Sequence, residues 1–194
     1  MRSITHRLLH ASRHARVHHV MAVVAVLVLQ ACAGAADESA WAQGDRVAVT
    51  GMWALDGDSL RAQSARGEVE LRLWGIDAPE RDQPYADASR KALQAVIAGK
   101  TGQAEIVAID DYQRLVVRLQ VDGRSVNEAQ LRAGHAWWFR RYARAQASYS
   151  EAETAAKTAR TGLWQAEAPG APWTYRERLR AAEQEKQQGQ KPGN

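Results

Sequence analysis

The stretch Leu71-Arg72-Leu73-Trp74-Gly75-Ile76-Asp77-Ala78-Pro79-Glu80 constrains this chain more than any other, because it sets a guanidinium, two carboxylates and a chain break close together. Leu71, Leu73 and Ile76 read as a strand, Gly75 permits a bulge or a close backbone approach, and Pro79, with no N–H to give, ends ladder pairing. Asp77 and Glu80 therefore fall where a strand opens into a loop, beside Arg72. Oxygen ligands there suit a hard cation, a loop glutamate suits proton transfer, and an arginine fork suits a phosphate. The same residues would also serve as a strand-end turn with a surface ion pair, so the flanking sequence has to decide.

On the N-terminal side, Arg46 to Trp53 alternates like a strand, Asp56-Gly57-Asp58-Ser59 is a turn, and Leu60 to Gln63 begins the return. A second turn near Ala65-Arg66-Gly67 leads into the strand Glu68 to Trp74, so three strands in succession suggest a meander. Pro84 to Lys100 has helical spacing, with Ala88, Ala92, Leu93, Val96 and Ile97 on one side. Gln103 to Ile109 and Leu115 to Val121 are two further strands around Asp110-Asp111-Tyr112-Gln113-Arg114. Ser125-Val126-Asn127-Glu128 is a capping box that opens a short helix, and a longer helix from Ala145 to Thr161 is expected to end at Gly162. Five strands with a helix after the third predict an α+β fold: a five-stranded Greek-key barrel of the OB type with three packed helices. The folded domain is expected over residues 46–175, and residues 176–194 read as a polar tail, disordered or a frayed helix.

Residues 1–42 read as an export signal and linker. Arg2, Arg7, Arg13 and Arg16 precede the apolar run from Val20 to Leu29, which is too short for a stable membrane span of about twenty residues, and small residues follow. Cleavage is expected after Ala35 or Ala42, giving a periplasmic or secreted protein; Leu29-Gln30-Ala31-Cys32 also allows lipid attachment through Cys32. Four of the 26 Lys and Arg residues lie in this leader, so 22 remain against 22 Asp and Glu after the first cut. Any attraction to a polyanion must then come from local arrangement and not from bulk charge. The leader also contains five of the six histidines and the single cysteine, leaving His135 alone. Paired-histidine hydrolases, Cys/His zinc sites, disulfides and a cysteine nucleophile are thereby disfavoured. Chemistry falls to carboxylates, arginines and hydroxyls.

If the meander pairs their strands, Asp58 and Asp77 face one cavity, and two carboxylates with a backbone carbonyl and waters make a site suited to Ca²⁺. Taken singly, Asp56-Gly57-Asp58 is also ordinary turn chemistry and Arg72 or Arg114 an ordinary surface arginine. Two arginines converging on the carboxylates would suit a phosphodiester whose charge rises in the transition state.

The run Asp56-Gly57-Asp58-Ser59, then Arg72 to Glu80, then Asp111-Tyr112-Gln113-Arg114, then Val126-Asn127-Glu128-Ala129 with Gly134 resembles the staphylococcal nuclease (thermonuclease) family, from about Val47 to Trp164. The resemblance implies that Asp58, Asp77 and the backbone carbonyl of Ala78 bind Ca²⁺ and that Glu80 is the general base toward water. It likewise implies that Arg72 and Arg114 hold the phosphate and that Tyr112 lies near it. The activity implied is hydrolysis of DNA and RNA to 3′-phosphates by a monomer without a stable protein partner. On this reading, alanine at Arg72, Glu80 or Arg114 spares folding and nearly abolishes cleavage. The rivals are a catalytically silent nucleic-acid-binding module on the same fold and a protein-binding OB-like domain.

Three positions depart from the family's pattern. Gln113 replaces the usual Gly before the second arginine, which is costly if φ there is positive. Ala78 replaces a Thr, with little effect if only its carbonyl is used. The base-stacking tyrosines are matched at most by Tyr142, with Trp137, Trp138 and Phe139 as weaker candidates against a core-packing role.

Overall fold

The computed structural model describes residues 40–189. The export signal, the Ala35 cut and Cys32 lie outside the described residues. The strands are β1 (Arg46–Ala54), β2 (Ser59–Ser64), β3 (Gly67–Leu73), β4 (Ile76–Asp77), β5 (Gly102–Ile109), β6 (Leu115–Val121), β7 (Arg124–Ser125) and β8 (Trp137–Trp138). The helices are α1 (Ala86–Ile97), α2 (Val126–Arg132), the single turn α3 (Arg140–Ala143), α4 (Ala147–Ala159) and α5 (Pro172–Gly189), with a 3-10 turn at Gly162–Gln165. Among these residues no helix is long and apolar enough to cross a membrane.

The main sheet runs β3-β2-β1-β5-β6-β7, and a parallel pairing of β3 with β6, Leu71 opposite Leu115 and Leu73 opposite Val117, closes the first five strands into a barrel. This is the expected OB-like architecture. Val49, Leu60, Leu71, Leu73, Ile106, Val117 and Leu119 fill its interior, as the period of two along each strand requires. In β1 the alternation changes phase. The register against β2 shifts between Thr50 and Trp53, and Gly51 has φ 54, so Val47 and Val49 point inward, then Met52 and Ala54, while Trp53 is 59% exposed.

The three expected helices are α1, α2 and α4, somewhat shorter than their sequence periods. At the start of α2 the Ser125 hydroxyl accepts from Glu128 N–H at 3.2 Å, but the Glu128 carboxylate accepts from Ser148 at 2.7 Å, so only half of the capping box forms. The C-cap of α4 is Arg160 (φ 50), not Gly162, which opens the 3-10 turn. The largest difference lies at the C-terminus: α5 begins at Pro172, a position that suits proline's missing N–H, so the expected boundary at 175 falls inside a helix.

Asn127 joins barrel to helix. Its side chain accepts from Leu119 N–H at 3.0 Å and donates to the carbonyls of Trp74 at 2.9 Å and Val117 at 3.2 Å. It thereby supplies partners for three main-chain groups at the end of the β3–β6 seam, directly before the turn that carries Asp77.

Candidate functional site

Two turns build the site. In the first, the Asp56 carboxylate accepts from Asp58 N–H at 2.9 Å and Ser59 N–H at 2.6 Å, and the Asp58 carbonyl accepts from Leu73 N–H at 2.7 Å, clipping the turn to β3. Gly57 is required by space: a Cβ there would stand 1.8 Å from the Ser89 hydroxyl of α1 and 2.7 Å from the Ala78 Cβ. Gln130 of α2 holds the same turn by donating to the Gly57 carbonyl at 2.7 Å. In the second turn, Gly75 takes φ 72, and Asp77 is fixed by pairing of β4 with β8, Asp77 opposite Trp137.

These turns bring Asp58 and Asp77, each 1% exposed, onto one guanidinium. Arg72 Nη1 donates to Asp58 Oδ1 and its Nη2 to Asp77 Oδ1, the latter at 2.8 Å. Ala78 N–H donates to Asp58 Oδ2 at 2.5 Å, so the third residue of the expected ligand set adjoins the other two. A cleft of about 570 Å³ opens on Asp56, Asp58, Arg72, Ala78 and Glu80. Burial pushes the Asp58 carboxyl well above the usual carboxylate range; Arg72 pulls against this, while Asp56 and Asp77 add to the rise. For Arg72 burial works downward, but Asp58 and then Asp77 outweigh it and raise the guanidinium above its ordinary value.

A residue outside the sequence-derived set completes the cluster. Arg176 of α5 donates from Nη2 to Asp77 Oδ2 at 2.7 Å and from Nη1 to Asp77 Oδ1 at 3.3 Å and Glu80 Oε1 at 2.5 Å. Its hydrogen bond to Asp77 raises this guanidinium above its ordinary value, burial opposes the rise, and the bond to Glu80 adds to it. A polar tail hides such a residue from sequence reasoning. The available signal was Trp173, a large apolar side chain three residues before that tail, which stacks on Phe139 with ring centroids 5.6 Å apart.

Arg114 does not join the carboxylates. Its Nε donates to Asp110 at 2.8 Å, its N–H to the same carboxylate at 3.0 Å, and it borders a separate groove with Glu70 and Tyr112. Tyr112 is 82% exposed, and Gln113 has φ 63, the left-handed angle that the substitution of a glycine made costly. Among the stacking candidates Trp137 and Trp138 are buried in the packing around β8, Phe139 is half-buried, and Tyr142 is exposed.

Among the described residues no three His, Cys, Asp or Glu side chains converge as a ready-made metal cage. The donor chemistry nevertheless fits a hard divalent cation: two buried carboxylates and adjacent main chain, all oxygen. Around them four acidic side chains, Asp56, Asp58, Asp77 and Glu80, face two guanidinium groups, Arg72 and Arg176. A cation held at Asp77 would compete with Arg176 for its oxygens.

Residues 70–166 match the family described as staphylococcal nuclease homologue. A probable staphylococcal-like nuclease of Oryza sativa subsp. japonica is 36% identical over 118 residues, covering 61% of this chain and 31% of that protein. An endonuclease of Escherichia coli, described as uncharacterised, is 34% identical over 125 residues, covering 64% of this chain and 81% of that protein. A staphylococcal-like nuclease of Arabidopsis thaliana is 33% identical over 113 residues, covering 58% of this chain and 35% of that protein. The chain thus spans about a third of the plant relatives.

Proposed function

The chain belongs to the staphylococcal nuclease family, and from this premise we propose that it is an exported, Ca²⁺-dependent endonuclease that hydrolyses DNA and RNA and leaves 3′-phosphates. The observation that carries the proposal is the convergence of Asp58 and Asp77 on Arg72, which with Asp58 and Glu80 lines the cleft. Structural ion-pair networks are common, but this one is buried, opens to solvent on one side and has the Glu80 carboxylate, held by Arg176, at its mouth. Burial together with an opening to solvent favours a site over a strut.

In the proposed reaction Asp58, Asp77 and the Ala78 carbonyl would hold Ca²⁺, which would supply polarisation of the phosphate and offset its charge. Glu80, half-exposed at the cleft, accepts the proton of the attacking water. Arg72, fixed by two carboxylates, presents a preorganised guanidinium to charge that grows at the phosphorus oxygens. Arg114 and Tyr112 would meet the nucleic acid from the neighbouring groove, as a second phosphate contact. The protein works as a monomer and leaves the cytoplasm with its leader removed.

The test is plasmid DNA and a single-stranded RNA incubated with Ca²⁺ or with chelator. Cleavage with Ca²⁺ alone, lost in Glu80→Gln, supports the enzyme. A mobility shift with no cleavage under either condition selects a nucleic-acid-binding module instead. Ends that a polymerase extends only after phosphatase treatment support 3′-phosphates, and the mass of the secreted product reads the leader cut.

A further inference from the structure

We infer that the C-terminal segment Gly170 to Arg176 is part of the active site and that Arg176 is a positioning residue acting through Glu80. The inference rests on the reading of Glu80 as general base. The segment grips the Glu80 loop at its backbone, its side chain and its base. At the backbone, Glu80 N–H donates to the Gln83 side-chain oxygen at 2.9 Å, and the amide nitrogen of Gln83 donates to the Gly170 carbonyl at 2.9 Å. At the side chain, one nitrogen of Arg176 bridges Glu80 Oε1 and Asp77 Oδ1 at 2.5 and 3.3 Å. At the base of the loop, Trp173 stacks on Phe139, whose N–H donates to the Gly75 carbonyl at 2.9 Å.

The chemistry gives the grip a purpose. Glu80 follows Pro79 in a segment with no strand or helix of its own, so nothing local fixes its carboxylate. A base that has to meet a water within hydrogen-bond reach needs such fixing, and a displacement of about 1 Å at a reacting group costs about a hundredfold in rate. The planar fork of arginine spans two carboxylates at once, whereas a lysine ammonium is a single point charge without that fixed geometry. Arg176 therefore sets the spacing between Glu80 and the carboxylate of Asp77. Where a cation draws on Asp77, the bond from Arg176 to Glu80 still restrains that carboxylate.

The experiment compares the full chain with Arg176→Met and Arg176→Lys at saturating Ca²⁺, with amide hydrogen exchange of the segment around Glu80 to Gln83 read in parallel. In Arg176→Met, kcat falls about a hundredfold while KM for the nucleic acid stays near the wild-type value. Arg176→Lys recovers part of the loss, and added guanidinium ion raises kcat of Arg176→Met but not of wild type. Exchange at Glu80 to Gln83 quickens in Arg176→Met whether or not the protein cleaves. Wild-type kcat in Arg176→Met, or unchanged exchange there, overturns the inference. Absence of cleavage by the wild type overturns the proposed function instead, and the exchange comparison then still decides whether Arg176 braces the loop. Should Arg176→Met not fold, Trp173→Ala, which removes the stack and leaves the guanidinium, is read by the same two measurements.

Discussion

Asp58 and Asp77 share one guanidinium although they come from different turns: Nη1 of Arg72 serves the first and Nη2 the second. Arg72 is thus a structural counter-ion in addition to its proposed role toward the phosphate. This changes the expectation, drawn from sequence, that Arg72→Ala spares folding. Removing one partner from a buried pair leaves an uncompensated charge and costs about 3–5 kcal/mol. Arg72→Ala is expected to lose stability on that scale in urea without Ca²⁺, whereas Glu80→Ala, half-exposed, stays close to wild type. A loss below about 1 kcal/mol in Arg72→Ala, the range of exposed pairs, would show that the two carboxylates do not depend on this arginine.

Asn127 carries a comparable structural weight with no charge. It is fully buried and satisfies Leu119 N–H and the carbonyls of Trp74 and Val117. The Val117 carbonyl keeps a second donor in Trp74 N–H at 2.8 Å, so the loss falls on Leu119 N–H and the Trp74 carbonyl, and each main-chain group left unpaired in the interior costs about 1–3 kcal/mol. Relaxation keeps the sum from being additive, so Asn127→Leu is expected to lose about 3 kcal/mol. The check is a denaturant midpoint at unchanged m-value, together with faster exchange at the Leu119 amide. Retention of wild-type protection at Leu119 would remove Asn127 from this role.

Most of the fold was legible because its signals are local. The alternation in β3 and β6, the turn residues Asp56-Gly57-Asp58-Ser59 and the cap at Ser125 each specify structure within a few positions. The phase change in β1 was not legible, because Gly51 signals a possible bulge and only pairing with β2 shows which residues it turns inward. In the candidate site, the expected grouping of Asp58, Arg72, Asp77, Ala78 and Glu80 matches their placement in the structure, since one turn and one strand end carry them. Arg114 was grouped with them, yet Asp110, four residues before it, captures its guanidinium. Arg176 was missed for the opposite reason. Its partners Asp77 and Glu80 lie about a hundred positions away, and polarity alone made its segment read as a tail, disordered or a frayed helix.

Gln113 offers a test of local strain. At φ 63 a side chain crowds its own backbone, which costs about 1–2 kcal/mol relative to the right-handed region. Glycine removes that cost but adds about 0.5–1 kcal/mol of unfolded-state entropy. Gln113→Gly is therefore expected to stabilise by about 0.5 kcal/mol, a small upward shift in urea midpoint. Because the turn also places Asp110 on Arg114, cleavage activity should stay within about twofold, well under the tenfold that 1.4 kcal/mol represents. Destabilisation by Gln113→Gly would mean that this turn does not hold a left-handed residue.

His135 gives the stability a pH dependence of known sign. Its ring stacks on Tyr85 with centroids 5.7 Å apart, Nδ1 lies 3.2 Å from the tyrosine hydroxyl, and burial lowers the imidazole below its ordinary value. The unfolded chain keeps the ordinary value of about 6.5. As pH falls through that value the unfolded state takes up a proton that the folded state refuses, so stability drops and then levels off below the folded value. Wild type should lose more stability than His135→Gln between about pH 7.5 and about pH 5, a window that brackets the ordinary imidazole. Groups that titrate in the same window are common to both proteins and cancel in the difference. Parallel urea-midpoint curves for the two proteins would show that this histidine is as easily protonated inside the fold as outside it.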